Sequence, residues 1–220
     1  FAFSDSFVPD PVNYRSDLWG EIGMKPDTWD DIRIGGKKIK DKTRIPVGIG
    51  LSAELDTAMA MRAVLYAFGA GEQDVEGNLA ISSKNTLEAL KFVTALFKEA
   101  MTPEVLAWDP SSNNRQMLAG KSSLVLNAIS VTRTGENDKM PINKKILIAK
   151  AAKGPVRRIG LEHVMDCYVI WKFSENIDGA KKFLIDYIDN FHQGFAAGQY
   201  YNFPCFSSTV ADLEQLLAQD

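Results

Sequence analysis

Apolar positions along the chain fall into two kinds of run, short β-branched stretches and longer segments stepped by three and four, and the two kinds alternate. The clearest helical spacing is Ile177, Ala180, Phe183, Leu184, Tyr187, Ile188 and Phe191, which predicts an amphipathic helix capped by Ser174. A second stripe, Leu87, Leu90, Val93, Leu96, Phe97 and Ala100, opens at Ser83, stops before Pro103 and is expected to face a core. Thr57 to Phe68, opened by Asp56 and closed by Gly69, is apolar nearly all round and predicts a buried helix. Ser16 and the pair Thr28/Asp31 each open a short helix, the second through a capping-box pattern after Pro26. Asn113 to Ala119 predicts one or two helical turns ended by Gly120, and Thr209 with Asp212 opens a last helix carrying Leu213, Leu216 and Leu217.

Ile45 to Leu51, Ser122 to Ile129, Ile146 to Ala149 and Val164 to Trp171 have the branched and apolar content of short buried strands. Gly48 and Gly50 in the first of these mark a backbone approached closely by other groups; without a third glycine they are no dinucleotide-binding turn. Arg33 to Arg44, with adjacent glycines at 35 and 36 and a basic cluster, is expected to be a solvated connection. Strands alternating with longer helices predict an α/β layer architecture, one central sheet covered by helices, as a single domain over residues 1–220. Ligands of such sheets bind beyond the carboxyl ends of the strands, here after Leu51, Ile129 and Trp171.

Charge narrows the partners. Lys and Arg number 25 against 28 Asp and Glu, a formal charge of −3, which provides no field for a polyanion, so nucleic acid is not an expected partner. The longest mostly apolar stretch, Ala58 to Phe68, carries Arg62 and falls well short of the roughly 20 residues that cross a bilayer. Residues 1–10 have no signal-peptide pattern and no initiator Met, so the chain is expected to start within a longer protein or after processing. Cys167 and Cys205 form no framework; Cys167 falls in a strand expected to be buried, and a disulfide between them stays open.

Catalysis finds little support. His163-x-x-Asp166-Cys167 looks suggestive, but on a strand His163 and Cys167 are roughly 13 Å apart and Asp166 points to the other face. Two histidines and two cysteines without short spacing do not suffice for a zinc site, and no cofactor or catalytic residue is expected. Trp108-Asp109-Pro110-Ser111-Ser112-Asn113-Asn114 is different in kind, because a flat apolar ring beside an amide-rich turn suits a sugar-like solute. The alternative is a Trp that anchors the loop to the core while Ser112 or Asn113 caps the next helix. Asn127, in an otherwise apolar strand, must satisfy its amide within the fold or face the crevice.

The ordered set of motifs resembles the extracellular solute-binding proteins of ABC importers. Asn13-Tyr14-Arg15-x-Asp17-Leu18 with Gly23 and Pro26-x-Thr28-Trp29-Asp30-Asp31 is followed by Gly77-Asn78. Then come Asn113-Asn114-x-x-Met117-Leu118-Ala119-Gly120-Lys121, Ser123-Leu124-Val125-Leu126-Asn127, Gly154-Pro155 and Ala180-Lys181-Lys182-Phe183-Leu184. The resemblance implies a three-layer lobe of a type II periplasmic-binding-protein-like fold, a mixed sheet flanked by helices. It equates the chain with the second, C-terminal lobe of a two-lobed protein whose first lobe is absent. It further implies capture of a small polar solute, a carbohydrate, between two lobes, delivery to membrane permease subunits, and a periplasmic or extracellular location. The site residues it implies are Ser52, Glu54 and Asp56 after the first strand and Asn127 with Ser130 after the next; Asn114 of the amide-rich turn is a candidate by its own chemistry. Sugar binders of the family read Asn-Gly-Pro-Trp where this chain reads Asn127-Ala128-Ile129-Ser130, so a stacking aromatic has to come from Trp108 or Tyr201. A protein-interaction module without a small ligand is the alternative.

Overall fold

The computed structural model describes residues 2–219, and of residues 162–164 only the backbone. In chain order the elements are β1 (Ala2–Pro9), β2 (Val12–Arg15), α1 (Ser16–Glu21), α2 (Trp29–Thr43), β3 (Val47–Gly48), α3 (Leu55–Ala67), α4 (Lys84–Ala100), α5 (Ser112–Leu118), β4 (Leu124–Leu126) and α6 (Ser130–Asn137). They continue with β5 (Ile146–Ala149), β6 (Glu162–Val169), α7 (Ile177–Asp189), α8 (Phe191–Ala197), β7 (Phe203–Pro204) and α9 (Leu213–Gln219). The chain divides into two compact units, Asp10–Leu161 and Phe1–Pro9 with Glu162–Asp220, where the sequence suggested one domain. Both passages between the units run from strand to strand, β1 to β2 and β5 to β6.

The larger unit holds a mixed four-stranded sheet in the order β3-β4-β2-β5. β3 pairs in parallel with β4, and β2 is antiparallel to both β4 and β5. Successive side chains of β4 serve opposite faces, as the pleat requires. Leu124 and Leu126 join Val12, Val47, Trp19, Ile32, Ile39, Val64 and Leu96 in one core, and Val125 joins Met117, Val131 and Ile146 in another. Helices α1 to α4 therefore cover one face and α5 with α6 the other, which makes three layers.

Residues 33–44, expected to be a connection, belong mostly to α2, and the adjacent glycines are the reason. A Cβ on Gly35 would lie 2.5 Å from the Trp19 ring, and one on Gly36 would lie 2.4 Å from Val47. The helix thus accepts the roughly 1 kcal/mol that glycine costs in a helix interior in exchange for close packing. Its opening follows expectation, since Thr28 accepts from the Asp31 N–H at 3.0 Å and Asp31 accepts from the Thr28 N–H at 3.0 Å. Helix α4 starts at Ser83 as expected, although Leu87 and Leu90 are exposed and Ala89 and Phe92 are buried instead.

The smaller unit has a three-stranded antiparallel sheet, β6-β1-β7. Its core is Phe191, Phe195 and Val210, and α7, periodic as expected, buries no residue. The cap of α7 is Asn176, whose Oδ1 accepts from the Gly179 N–H, rather than Ser174. Cys167, expected to be buried, is exposed, and it and Cys205 are free thiols. The side chain of His163 lies outside the described residues. Among the described residues no helix is long and apolar enough to cross a membrane.

Candidate functional site

The parallel strands β3 and β4 end side by side, and the loops leaving them run into the first turns of α3 and α6. Such carboxyl-end loops are where open α/β sheets place ligands. After β3, the Leu51 N–H donates to the Val105 carbonyl at 2.9 Å and the Ser52 hydroxyl to the Trp108 carbonyl at 2.6 Å, which ties this loop to the amide-rich turn. Glu54 caps α3, taking over the role the sequence suggested for Asp56. Its carboxylate accepts from the N–H groups of Asp56 at 2.7 Å and Thr57 at 2.5 Å, and from the Thr57 hydroxyl. The longer side chain reaches back over the first turn from one residue before the helix.

Asp56 sits inside that turn, buried, and its Oδ2 accepts from Asn113 Nδ2 at 2.8 Å. The same Asn113 amide nitrogen reaches the Leu126 carbonyl at 3.2 Å, and Asn113 Oδ1 accepts from the Asn114 N–H at 2.8 Å. Asn114 passes the chain on, since its Oδ1 accepts from Asn127 Nδ2 at 2.6 Å and its Nδ2 donates to the Ser130 hydroxyl at 3.1 Å. Asn127 closes the chain with Oδ1 accepting from the Ala128 N–H at 2.7 Å. From the neighbouring strand, Asn13 Nδ2 donates to the Asn127 carbonyl at 2.7 Å. One relay therefore joins Asp56, Asn113, Asn114, Asn127 and Ser130 across three helix beginnings and the end of β4. The amide of Asn127, for which sequence left two solutions, is satisfied within the fold.

Trp108 is half-buried against the core, and its ring lies over Gly48: a Cβ there would stand 2.7 Å from the indole and 2.5 Å from Ser122 Oγ. The close approach expected at Gly48 and Gly50 is real, since a Cβ at Gly50 would meet Glu54 and Thr57 at 2.9 Å. In the turn after Trp108, Asp109 accepts from Arg115, Ser112 and Ser111, and these contacts, Arg115 first, hold its carboxyl well below the usual carboxylate range. Neither Ser112 nor Asn113 caps α5 through its side chain.

Seven of the eight expected residues thus lie in the larger unit, six of them in the relay or in the Ser52–Trp108 pair, with Glu54 serving as a helix cap. Tyr201 belongs to the smaller unit. Two further polar residues of this region were not among those expected, Asn113 within the relay and Asp10 outside it. Asn113 is 4% exposed, and its i, i+4 step to the fully buried Met117 was the signal that it faces inward. The other is Asp10, whose carboxyl is pushed up to about 7, chiefly by burial and then by the charge of Asp56. The prolines on either side of it, which fix its backbone, were the available sign.

Ser52, Asn114 and Ser130 are half-buried and offer paired donors and acceptors, while Asp56, Asn113 and Asn127 support them from below. Among the described residues no three His, Cys, Asp or Glu side chains gather as a metal site. A cavity of about 460 Å³ lined by Arg44, Pro46, Thr102, Glu104, Gln116 and Lys121 lies where the chain enters β3 and β4, and none of the expected residues lines it.

The model of the family described as bacterial extracellular solute-binding protein matches residues 2–187. Among solved structures, maltose-bound MalE3 of T. maritima aligns with a TM-score of 0.79 at 24% identity, over 96% of this chain and 56% of that one. A solute-binding protein of Thermotoga lettingae TMO bound with α-D-tagatose aligns at 0.78 and 19% identity, over 100% and 57%. One from Agrobacterium radiobacter K84 in complex with ribitol aligns at 0.76 and 17%, over 99% and 58%. The chain spans a little over half the length of each of these structures. At these identities the likeness shows the fold, a periplasmic-binding-protein-like arrangement of sheets flanked by helices.

Proposed function

Because the chain belongs to the family of bacterial extracellular solute-binding proteins, we propose that it is part of the substrate-binding component of an ABC importer. In this reading the full-length protein captures a small polar solute, a sugar or polyol, between two lobes and hands it unchanged to permease subunits in the membrane, working outside the cytoplasm. The observation that carries the proposal is the relay of Asp56, Asn113, Asn114, Asn127 and Ser130 at the carboxyl ends of β3 and β4. Fixed amides and hydroxyls recognise a polyhydroxylated solute because each hydroxyl both donates and accepts, and a rigid partner loses little entropy on binding. Maltose, tagatose and ribitol, held by the solved relatives, are solutes of this kind.

Within this reading Asp10–Leu161 is the unit equivalent to the C-terminal lobe. Ser52, Asn114 and Ser130 are its contact residues, Trp108 offers an apolar face, and Asp56 and Asn127 act as supports. Glu54 acts through the order of the α3 start. No group here is offered as a nucleophile or general base, and the role is binding without catalysis. Calorimetry of the full-length protein against maltose, tagatose and ribitol tests the proposal. Heat with at least one of them, lost in Ser130→Ala, is the expected result. No heat with any solute, together with tight binding to a protein partner, would favour the interaction-module alternative.

A further inference from the structure

Strand β6 of the smaller unit has two unlike faces. On one, the half-buried Tyr168 stacks with Phe3 of β1 at 5.6 Å and meets Tyr187 of α7 at 5.5 Å, so that face is covered by the helix. The two-residue period of the strand puts Met165, Cys167 and Val169 on the other face, and all three are exposed. Just beyond the strand Trp171 and Phe173 are 64% and 79% exposed, and their rings stack on each other at 5.6 Å rather than on a core. Among the described strands β6 pairs with β1 alone, so eight residues of backbone form an open sheet edge beside this apolar face. A long edge strand of apolar character is a template for a further strand.

The rest of the smaller unit is equally short of burial. Helix α7 buries no residue despite its helical period, and Phe183 and Ile185 stand exposed on it. The buried cluster of the unit is Phe191, Phe195 and Val210. So small a core does not offset the entropy of ordering a sheet and three helices, so the unit needs more apolar cover than it contains. More than two-fifths of the length of each solved relative lies outside the part with which this chain aligns, so the relatives carry enough additional chain to supply that cover. A second copy of this chain would bring only the same thin core and the same open face.

We infer that the open edge and apolar face of β6 are the seam at which the smaller unit joins the part of the full-length protein outside these 220 residues. A strand from that part pairs with the β6 edge, and apolar side chains packed behind it cover Met165, Val169 and Trp171. Backbone pairing supplies the register, and the exposed Trp171 and Phe173 supply the largest apolar surface to be removed from water. The smaller unit then belongs to the other lobe rather than to the C-terminal one, a step that rests on the two-lobed reading of the protein. The seam itself is independent of which solute the relay takes.

Cys167, an exposed thiol on the open face, makes the seam measurable without any solute. In the 220-residue chain a maleimide should modify Cys167 nearly as fast as it does in urea. In the native full-length protein the rate at Cys167, read by peptide mass spectrometry, should be at least about tenfold lower and should recover in urea. Val169→Lys in the full-length protein should return the native rate toward that of the 220-residue chain. Amide exchange along β6 gives a second reading that needs no variant, slow throughout in the full-length protein and fast at alternate positions in the 220-residue chain. Equal labelling in the two proteins would overturn the proposal. Slow labelling in the 220-residue chain would also overturn it, by placing the cover among these residues. Protection in the full-length protein that fades on dilution would assign the face to a second copy and overturn it likewise. No solute enters these measurements, so the seam can fail while the solute reading holds, and the reverse.

Discussion

Asn127→Ala distinguishes a structural amide from one held ready for a ligand. The side chain is 3% exposed and spends both ends inside the fold, donating to Asn114 Oδ1 at 2.6 Å and accepting from the Ala128 N–H at 2.7 Å. Truncation orphans the Ala128 N–H, in a residue with no exposed surface, at a cost of about 1–3 kcal/mol. The lost contact to Asn114, whose half-buried oxygen water can still reach, adds about 1 kcal/mol. The expected total is about 2–4 kcal/mol, or roughly 4–16 °C in Tm for a chain of this length. Urea unfolding followed by tryptophan fluorescence measures it, because Trp19, Trp29 and Trp108 all lie in the larger unit and report on it. Asn127→Asp serves as a control, since it keeps the acceptor for Ala128 but sets an oxygen against Asn114 Oδ1. A loss below about 0.5 kcal/mol for the alanine variant would mean that the relay does not bind the amide in place, and the assignment of Asn127 as a support would fall.

Gly48→Ala should cost about 1–3 kcal/mol by urea unfolding, because its Cβ would stand 2.5 Å from Ser122 Oγ and 2.7 Å from the Trp108 ring, and tryptophan emission should shift as the indole is displaced. Thr28→Ala removes one half of the α2 capping box and should lower stability by about 1 kcal/mol, whereas Thr28→Ser should restore most of it. Stability should fall as the pH rises from about 4 to about 7, because Asp10 holds its proton in the folded chain through that window and not in the unfolded one. At about 1.4 kcal/mol per tenfold in proton affinity the effect is at most about 4 kcal/mol, and thermal melts of Asp10→Asn should be flatter across the same window. Asp17, lowered to about 2 by its hydrogen bonds to Arg15, acts oppositely. Its contribution is present above about pH 4 and lost as the pH falls toward 2, and Asp17→Asn should change stability at pH 7 by less than about 1 kcal/mol in a urea titration, the pair being only partly buried.

Features set by neighbours within a few residues were legible without the structure. The Thr28/Asp31 cap, the Ser83 start, the Gly120 stop, the period of α7 and the β-branched runs at β4 and β5 are interactions along the chain, so spacing alone reveals them. The order of the motifs also pointed to the family that the match over residues 2–187 establishes.

What spacing could not decide was which of two locally acceptable states tertiary packing would choose. Gly35-Gly36 is a helix breaker by propensity and a packing notch once Trp19 and Val47 arrive, and those partners lie far along the chain or across a turn. Asp56 is a good N-cap by type, yet Glu54 reaches the same N–H groups and Asp56 is turned toward Asn113, 57 residues away. The relay needs β3, β4, α3, α5 and α6 to meet before any of its amides has a partner, and the Asp10 carboxyl is raised only once the fold buries it. Local order follows from local chemistry, whereas burial, and with it the charge state and satisfaction of the site's polar groups, is fixed only when distant segments close around them.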